Sequence, residues 1–260
     1  MPETIVRDGQ RIAYTDHGGD GPVVVALHSF LMDGTMFAPQ VEAWRGGLRV
    51  ITVDERGHGD TPADGPFDYW DVARDVLELL DELGIERAAV VGTSQGGFIA
   101  LRTALLAPDR ISALGLLGTS AAPEDPEVAA QYRELAAGWV AHGPADQLID
   151  TVAAICLGTL PAEYWKARWR TVSGEHFDRI LGVLVERDGL LERLPEITAP
   201  ALVLHGSADA AYPVEKARQI ADGLPAAEPL VVVEGGAHFL SLTDAASVTG
   251  PLTEFLRKHA

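Results

Sequence analysis

The 260-residue sequence predicts an α/β fold, in which a mostly parallel sheet is flanked by helices. Short unbroken apolar runs alternate with stretches of helical length, which is typical of strands that are covered on both faces. This alternation stops after residue 120 and returns after residue 195, with only helical patterns between. We therefore expect a core domain of residues 1–120 and 196–260, with a helical insertion at 121–195.

The first half of the chain contains four strand patterns after an N-terminal hairpin. Thr4–Arg7 and Arg11–Asp16 are the predicted hairpin strands, joined by the turn pair Asp8 and Gly9. The following strand patterns are Val23–His28, Leu48–Asp54, Ala88–Gly92 and Ile111–Gly118. The helical patterns between them are about Thr35–Trp44, Asp68–Leu83 and Gln95–Ala107. Each strand is thus followed by a helix, as a parallel sheet requires.

The insertion contains only helical patterns, whereas the last part of the chain alternates strand and helix patterns. The insertion holds four helical patterns, at Pro126–His142, Pro144–Leu157, Ala162–Val172 and Gly174–Arg187. Strand and helix patterns then alternate again, at Ala201–His205, Val214–Gly223, Leu230–Val233 and Asp244–His259. The insertion is therefore predicted to lie outside the sheet.

Composition restricts the partners and the chemistry. The net charge of −18 argues against binding to nucleic acid or to an anionic membrane surface. No apolar run could span a bilayer and no N-terminal signal pattern is present, so we expect a cytoplasmic protein. The single cysteine, Cys156, excludes an internal disulfide, and the histidines lack metal-ligand spacing. We expect no metal and no other cofactor, and the pattern does not indicate an oligomeric state.

The segment Gly92-Thr93-Ser94-Gln95-Gly96 carries the strongest chemical signal. It stands between a predicted strand and a predicted helix, which is the context of a nucleophile elbow, Gly-x-Ser-x-Gly. Such a turn holds its serine in a strained backbone conformation and leaves free amides at the start of the helix. Ser94 is the candidate nucleophile.

A serine hydroxyl needs a base to take its proton, and the base needs an acid to orient it. Asp209 and His238 both directly follow predicted strands, where ligand sites of such sheets lie. Their order after Ser94 is the one expected for this elbow. The sequence therefore predicts a Ser94, His238 and Asp209 triad.

An acyl-transfer intermediate also needs two N–H donors for its oxyanion. The amide of Gln95, directly after the nucleophile, is one candidate. We assign the other to the amide of Phe30, in the loop after the strand that begins at Val23.

These motifs extend over essentially the whole chain, and the sequence resembles the α/β-hydrolase superfamily. The matching segments are HSF at His28–Phe30, DERGHGDT at Asp54–Thr61, GTSQGG at Gly92–Gly97, GSAD at Gly206–Asp209 and GGAHF at Gly235–Phe239. The resemblance is closest to the small esterase and lactonase branch, such as enol-lactonases. It implies that Ser94 is the nucleophile, His238 the general base and Asp209 its partner. It also implies that residues 121–195 form a four-helix cap over the site.

Two positions depart from the family pattern or compete with it. Relatives commonly have His-Gly before the oxyanion residue, whereas this chain has His28-Ser29, so the Ser29 hydroxyl could enter the pocket. Some branches place the acid after the preceding strand, which makes Glu124 and Asp125 alternatives to Asp209.

The substrate pocket is predicted from aromatic and apolar residues of the insertion and the core. Insertion aromatics could line an apolar pocket, or they could pack the insertion onto the core, which we expect for at least half of them. The candidate pocket residues are Ser29, Met32, Trp139, Trp165, Trp169 and Phe239. An enclosed apolar pocket favours a hydrophobic substrate.

Three cations lie together in one predicted helix of the insertion. They are Lys166, Arg168 and Arg170. Two interpretations remain open, of which a solvated surface is the simpler and the steering of an anionic substrate is the other.

Together, these residues predict a cofactor-independent carboxylic ester hydrolase. It would cleave an ester or lactone of a hydrophobic small molecule through an acyl-enzyme. The alternatives on the same triad are a thioesterase, a C–C hydrolase and a perhydrolase. A further alternative is a hydrolase-derived protein that binds a ligand or signals.

Overall fold

An eight-stranded sheet forms the centre of the computed structural model, which describes residues 3–7, 9–63 and 65–260. The strands are β1 (Glu3–Arg7), β2 (Gln10–Asp16), β3 (Val23–Leu27), β4 (Arg49–Asp54), β5 (Ala88–Thr93), β6 (Ile111–Leu117), β7 (Ala201–Gly206) and β8 (Val231–Val233). Their order across the sheet is β1-β2-β4-β3-β5-β6-β7-β8. β2 pairs antiparallel with β1 and with β4, and all other neighbours are parallel.

Helices flank this sheet. They are α1 (Ala38–Trp44), α2 (Tyr69–Glu82), α3 (Gln95–Leu106), α4 (Pro126–His142), α5 (Asp146–Leu157), α6 (Glu163–Trp169), α7 (Gly174–Val185), α8 (Val214–Gly223), α9 (Leu240–Thr243) and α10 (Ala245–His259). In the core, α1 packs against α10 and α2 against α3. β5, β6 and β7 are buried along their whole length, as their unbroken apolar sequences predict. The predicted mostly parallel sheet flanked by helices is confirmed.

Element ends differ from the sequence prediction in a few places. The predicted helix from Thr35 starts as a 3₁₀ turn, Gly34–Phe37, which the Asp33 side chain caps. The short helix α9 was not predicted, because one turn is too short to give a periodic pattern. The predicted hairpin turn consists of Asp8 and Gly9. Gly9 has a φ of +87°, and Asp8 lies outside the described residues.

Residues 121–195, called the insertion below, join β6 to β7. They contain α4 to α7, and the described residues of this segment contain no strand. The two ends of the insertion meet, because the Leu190 amide donates to the Ala121 carbonyl at 2.6 Å. Throughout the described ranges, no helix has the length and apolar character needed to cross a lipid bilayer.

Aromatic stacking joins the helices of the insertion to each other and to the core. The Trp139 ring on α4 stacks on the Phe177 ring on α7, with 4.2 Å between centroids and an interplanar angle of 5°. The Phe177 ring also meets the edge of Phe30, in the loop after β3, at 5.7 Å. Phe177 is therefore a contact point between the insertion and the loop that carries a candidate oxyanion amide.

We expect Phe177→Ala to lower the free energy of unfolding by about 3–5 kcal/mol, because it leaves a cavity at a fully buried stack. Tyr164→Ala, at an insertion residue that is 56% exposed, is the matched control and should change stability by less than about 1 kcal/mol. Urea unfolding of the three proteins measures both values. Equal destabilisation by the two variants would contradict the role given to this stack.

Candidate active site

Ser94 occupies a sharp turn between β5 and α3. Its backbone angles are φ 50° and ψ −107°, a region that residues other than glycine rarely adopt. Neighbouring glycines make the turn possible. A Cβ at Gly92 would lie 2.2 Å from the Gly96 carbonyl, and a Cβ at Gly96 would lie 2.1 Å from the Leu27 carbonyl oxygen. The two glycines are therefore required by close backbone approach.

The predicted triad residues come together above this turn. His238 Nε2 lies 2.9 Å from Ser94 Oγ, and His238 Nδ1 lies 2.7 Å from Asp209 Oδ2. A carboxylate only accepts hydrogen bonds, so Nδ1–H donates to Asp209 and Nε2 is left to accept from the serine hydroxyl. This tautomer is the one that a general base requires.

Asp209 is held in its ionised form. Burial raises the pKa of this carboxyl, but the charge and hydrogen bond of His238 and the Tyr212 amide lower it, and the net result lies below the ordinary value. Asp209 Oδ1 accepts from the amides of Ala211 and Tyr212, at 2.8 and 2.9 Å. The carboxylate is therefore oriented by its own loop as well as by the histidine.

The two candidate oxyanion amides stand on segments that are bound to each other. The Gly96 amide donates to the His28 carbonyl at 2.9 Å, which ties the start of α3 to the loop after β3. In the described part of the chain, neither the Phe30 amide nor the Gln95 amide donates a hydrogen bond. Both N–H groups are therefore available to a ligand.

His28 fixes the loop that precedes Phe30. Its Nε2 accepts from the Glu55 amide at 3.0 Å, so Nδ1 carries the proton and donates to the Ser29 carbonyl at 2.8 Å. Both ring nitrogens are therefore used by the backbone, which gives His28 a structural role.

A buried polar group lies behind the start of α3. Gln95 Nε2 donates to Glu55 Oε2 at 2.5 Å, and the Tyr69 hydroxyl donates to Gln95 Oε1 at 3.0 Å. Burial raises the pKa of Glu55 to about 7, although the interaction with His28 and the Gln95 hydrogen bond act in the opposite direction. This contact between Glu55, Tyr69 and Gln95 was not predicted, because the three residues share no pattern in the sequence.

The competing acids lie elsewhere. Glu124 Oε2 accepts from Arg187 and from the Tyr212 hydroxyl, both at 2.9 Å, and both side chains of this ion pair are at least 97% buried. Asp125 caps α4 by accepting from the Glu127 amide. Neither carboxylate bonds to His238, whose Nδ1 faces Asp209.

A cavity of about 60 Å³ lies against Ser94 and His238. Of the predicted pocket residues it includes Ser29 and Phe239, together with Phe30. Tyr132 also lines it, as one of the insertion aromatics that could form an apolar pocket. The other lining residues are Leu135, Val152, Ile155, Cys156, Leu181, Leu184, Ala211 and Tyr212. Most of these are insertion side chains at helical spacings of three or four, so a search for such stripes on α4, α5 and α7 could have found them.

The remaining predicted pocket residues, Met32 and the three tryptophans, do not line this cavity, and that part of the prediction needs correction. Trp139 stacks on Phe177, and its indole donates to the Val172 carbonyl. The Trp169 indole donates to the Leu31 carbonyl, and Trp169 and Met32 line a separate groove. Trp165 is buried against Tyr164. Large indoles bury most area between packed helices, and that is where these lie.

Comparison with known proteins identifies the family. The sequence matches the family described as the alpha/beta hydrolase fold over residues 22–245. The chain belongs to the alpha/beta hydrolase fold family. The resemblance to its small esterase and lactonase branch is confirmed by the structural neighbours below.

This hydrolase has relatives of several activities. A candidate carbamate hydrolase of Variovorax paradoxus is 31% identical, covering 94% of this chain and 96% of that protein. The enol-lactonase from Burkholderia xenovorans LB400 has a TM-score of 0.89 and 28% identity, covering 98% of this chain and 100% of that chain. A thermophilic esterase from Thermogutta terrifontis has a TM-score of 0.87 and 27% identity, covering 99% of this chain and 98% of that chain.

Glu55 gives a pH-dependent prediction for stability. Its folded-state pKa of about 7 lies above the ordinary value of 4.5, so the folded hydrolase keeps a proton in this window that the unfolded chain has released. The proton on Glu55 therefore contributes fully to the free energy of unfolding below pH 4.5, and this contribution is lost as the pH rises to about 7. The difference in free energy of unfolding between Glu55→Gln and the wild type, measured by urea unfolding, should favour the variant by about 1–3 kcal/mol more at pH 8 than at pH 5. An equal effect at both pH values would contradict this.

The buried Arg187 and Glu124 pair gives a second prediction. Arg187→Met leaves a buried carboxylate without its cation and should lower stability by about 3–5 kcal/mol. Adding Glu124→Gln removes the stranded charge, so the double variant should be more stable than Arg187→Met alone. Arg193→Met, in a pair exposed by 41% and 54%, is the control, with an expected effect under about 1 kcal/mol. Chemical denaturation tests this, and additive losses in the double variant would refute it.

Proposed function

We propose that this protein is a serine hydrolase that cleaves a carboxylic ester or lactone of a hydrophobic small molecule through an acyl-enzyme. The observation that carries the proposal is the hydrogen-bonded line from Ser94 Oγ through His238 to Asp209, with distances of 2.9 and 2.7 Å. The names of the esterase and enol-lactonase neighbours support the same class of reaction.

In the first half of the reaction, His238 Nε2 takes the hydroxyl proton of Ser94 as Oγ attacks the carbonyl carbon. The negative charge that develops on the carbonyl oxygen is stabilised by the amides of Phe30 and Gln95. The imidazolium that forms on His238 is stabilised by the ionised Asp209. The bond from the carbonyl carbon to the alcohol oxygen then breaks as His238 gives its proton to that oxygen. The acyl group stays on Ser94, and the alcohol leaves from an ester or remains attached to the acyl chain of a lactone.

In the second half, a water molecule takes the place of the alcohol. His238 Nε2 removes its proton, the hydroxide attacks the acyl carbon, and the same two amides hold the oxyanion. The ester bond to Oγ breaks, Ser94 regains its proton from His238, and a carboxylic acid leaves. The two half-reactions together consume one ester or lactone and one water molecule and require no cofactor.

We propose that the insertion, residues 121–195, acts as a cap on the core formed by residues 1–120 and 196–260. Its helices α4, α5 and α7 supply much of the wall around the catalytic serine. The cavity of about 60 Å³ has room for only a few water molecules, so we expect this wall to move when a substrate of ordinary size binds.

The test is labelling with a fluorophosphonate probe together with hydrolysis of 4-nitrophenyl esters. We expect Ser94→Ala to abolish labelling and Asp209→Asn to lower kcat by about 10⁴-fold, because the amide would hold the wrong histidine tautomer. Asp125→Asn is the matched control and should keep near wild-type kcat, because asparagine caps a helix equally well. Labelling that persists in Ser94→Ala, or equal losses in the two aspartate variants, would overturn the proposal.

A further inference from the structure

The wall of the catalytic cavity is almost entirely uncharged. Apart from His238, no lysine, arginine, histidine, aspartate or glutamate lines it in the described part of the chain. The side chains on the insertion side include Leu135, Val152, Ile155 and Leu184. A carboxylate on the substrate would have to leave water for this wall without a cation to meet it, which is strongly unfavourable.

The cations of the insertion that could have met such a carboxylate are engaged outside the cavity. Lys166 pairs with Asp150 and Arg170 with Asp146, both at 2.8 Å, and Arg168 pairs with Asp33. These pairs favour the surface interpretation of the cationic helix over the steering of an anionic substrate.

Arg187 is also engaged, although it lies near the cavity. Its guanidinium bonds to Glu124 and stands 4.3 Å from the centroid of the Phe98 ring. It is therefore committed to a buried ion pair with a ring against it, rather than to a ligand.

One tyrosine on the insertion side of the cavity has a hydroxyl that forms no hydrogen bond within the described part of the chain. Tyr132 on α4 lines the cavity, and its hydroxyl makes no hydrogen bond to any described residue. The other tyrosine of the wall, Tyr212, donates its hydroxyl to Glu124. The Ser29 hydroxyl also has no hydrogen-bond partner among the described residues, but it is buried next to Phe30.

Tyr132 keeps its proton under ordinary conditions. Burial raises the pKa of its phenol, and the negative charge of Glu124 raises it further. A phenol that stays protonated is a hydrogen-bond donor. Such a donor in an apolar wall gives a bound molecule a fixed polar contact.

We infer that the site selects an uncharged acyl group with a second hydrogen-bond acceptor, such as an ether or carbonyl oxygen, and that the Tyr132 hydroxyl binds this acceptor. This rests on the proposed esterase function and narrows its substrate class. Tyr132 is then a specificity-determining residue, which contacts the substrate away from the bond that breaks.

The experiment uses 4-nitrophenyl esters in pairs of equal chain length. Butyrate is compared with methoxyacetate, and pentanoate with 3-methoxypropionate, so that one oxygen replaces one methylene at two positions. Each ester is measured with the wild type, with Tyr132→Phe and with Tyr164→Phe, the exposed control on α6. For each ester, each kinetic constant of the wild type is divided by that of the variant. This ratio removes the difference in intrinsic reactivity between the esters.

We expect Tyr132→Phe to raise KM about tenfold for at least one ether ester, with its alkyl counterpart changed less than about twofold. Tyr164→Phe should leave every ratio near one. A rise in KM that is the same for ether and alkyl esters would indicate a packing role and overturn the assignment of Tyr132. No change for any ester would overturn it as well.

The charge of the acyl group is tested with the hemisuccinate, which replaces the end of the pentanoate chain by a carboxylate. We expect its kcat/KM to be at least about a hundredfold below that of pentanoate. Leu135→Arg, which adds a cation to the wall, should narrow this gap. Equal rates on the two esters in the wild type would overturn the inference about charge. Absence of turnover on every ester, without probe labelling of Ser94, would instead contradict the proposed function.

Discussion

The close approach of α3 to the loop after β3 is the constraint on which the site depends. It is possible only because Gly96 has no side chain, since a Cβ there would lie 2.1 Å from the Leu27 carbonyl oxygen. This contact brings two amides, from distant parts of the sequence, to one place. It also fixes the turn that holds Ser94 at φ 50°. The strain in that turn is offset by the packing of the buried strand β5 before it and the largely buried helix α3 after it.

A second buried contact connects the insertion to Asp209 of the proposed triad. Tyr212 bonds through its hydroxyl to Glu124, and through its amide to Asp209. Its carbonyl accepts from the buried His205 at 2.9 Å, and its ring meets the edge of His238 at 5.5 Å. Tyr212 thus contacts Asp209, His238 and the start of the insertion, so it connects the insertion to the proposed triad.

The sequence predicted most of the sheet and the meeting of Ser94, Asp209 and His238, because each directly follows a buried apolar strand and parallel strands end at one edge. It predicted the pocket less well. Trp139 and Trp169 were candidate pocket residues as aromatics of the insertion, but they follow the alternative interpretation and are buried in packing contacts. The contact of Glu55 with Gln95 joins residues forty positions apart with no shared pattern, so only the folded chain reveals it.

The ends of the insertion lie side by side, joined by the hydrogen bond from Leu190 to Ala121. A segment whose ends coincide can be exchanged for one of another length without rethreading the sheet. A segment grafted between these two positions would have to replace the contact of Glu124 with Tyr212 if the hydrogen bond from Tyr212 to Asp209 is to keep its geometry.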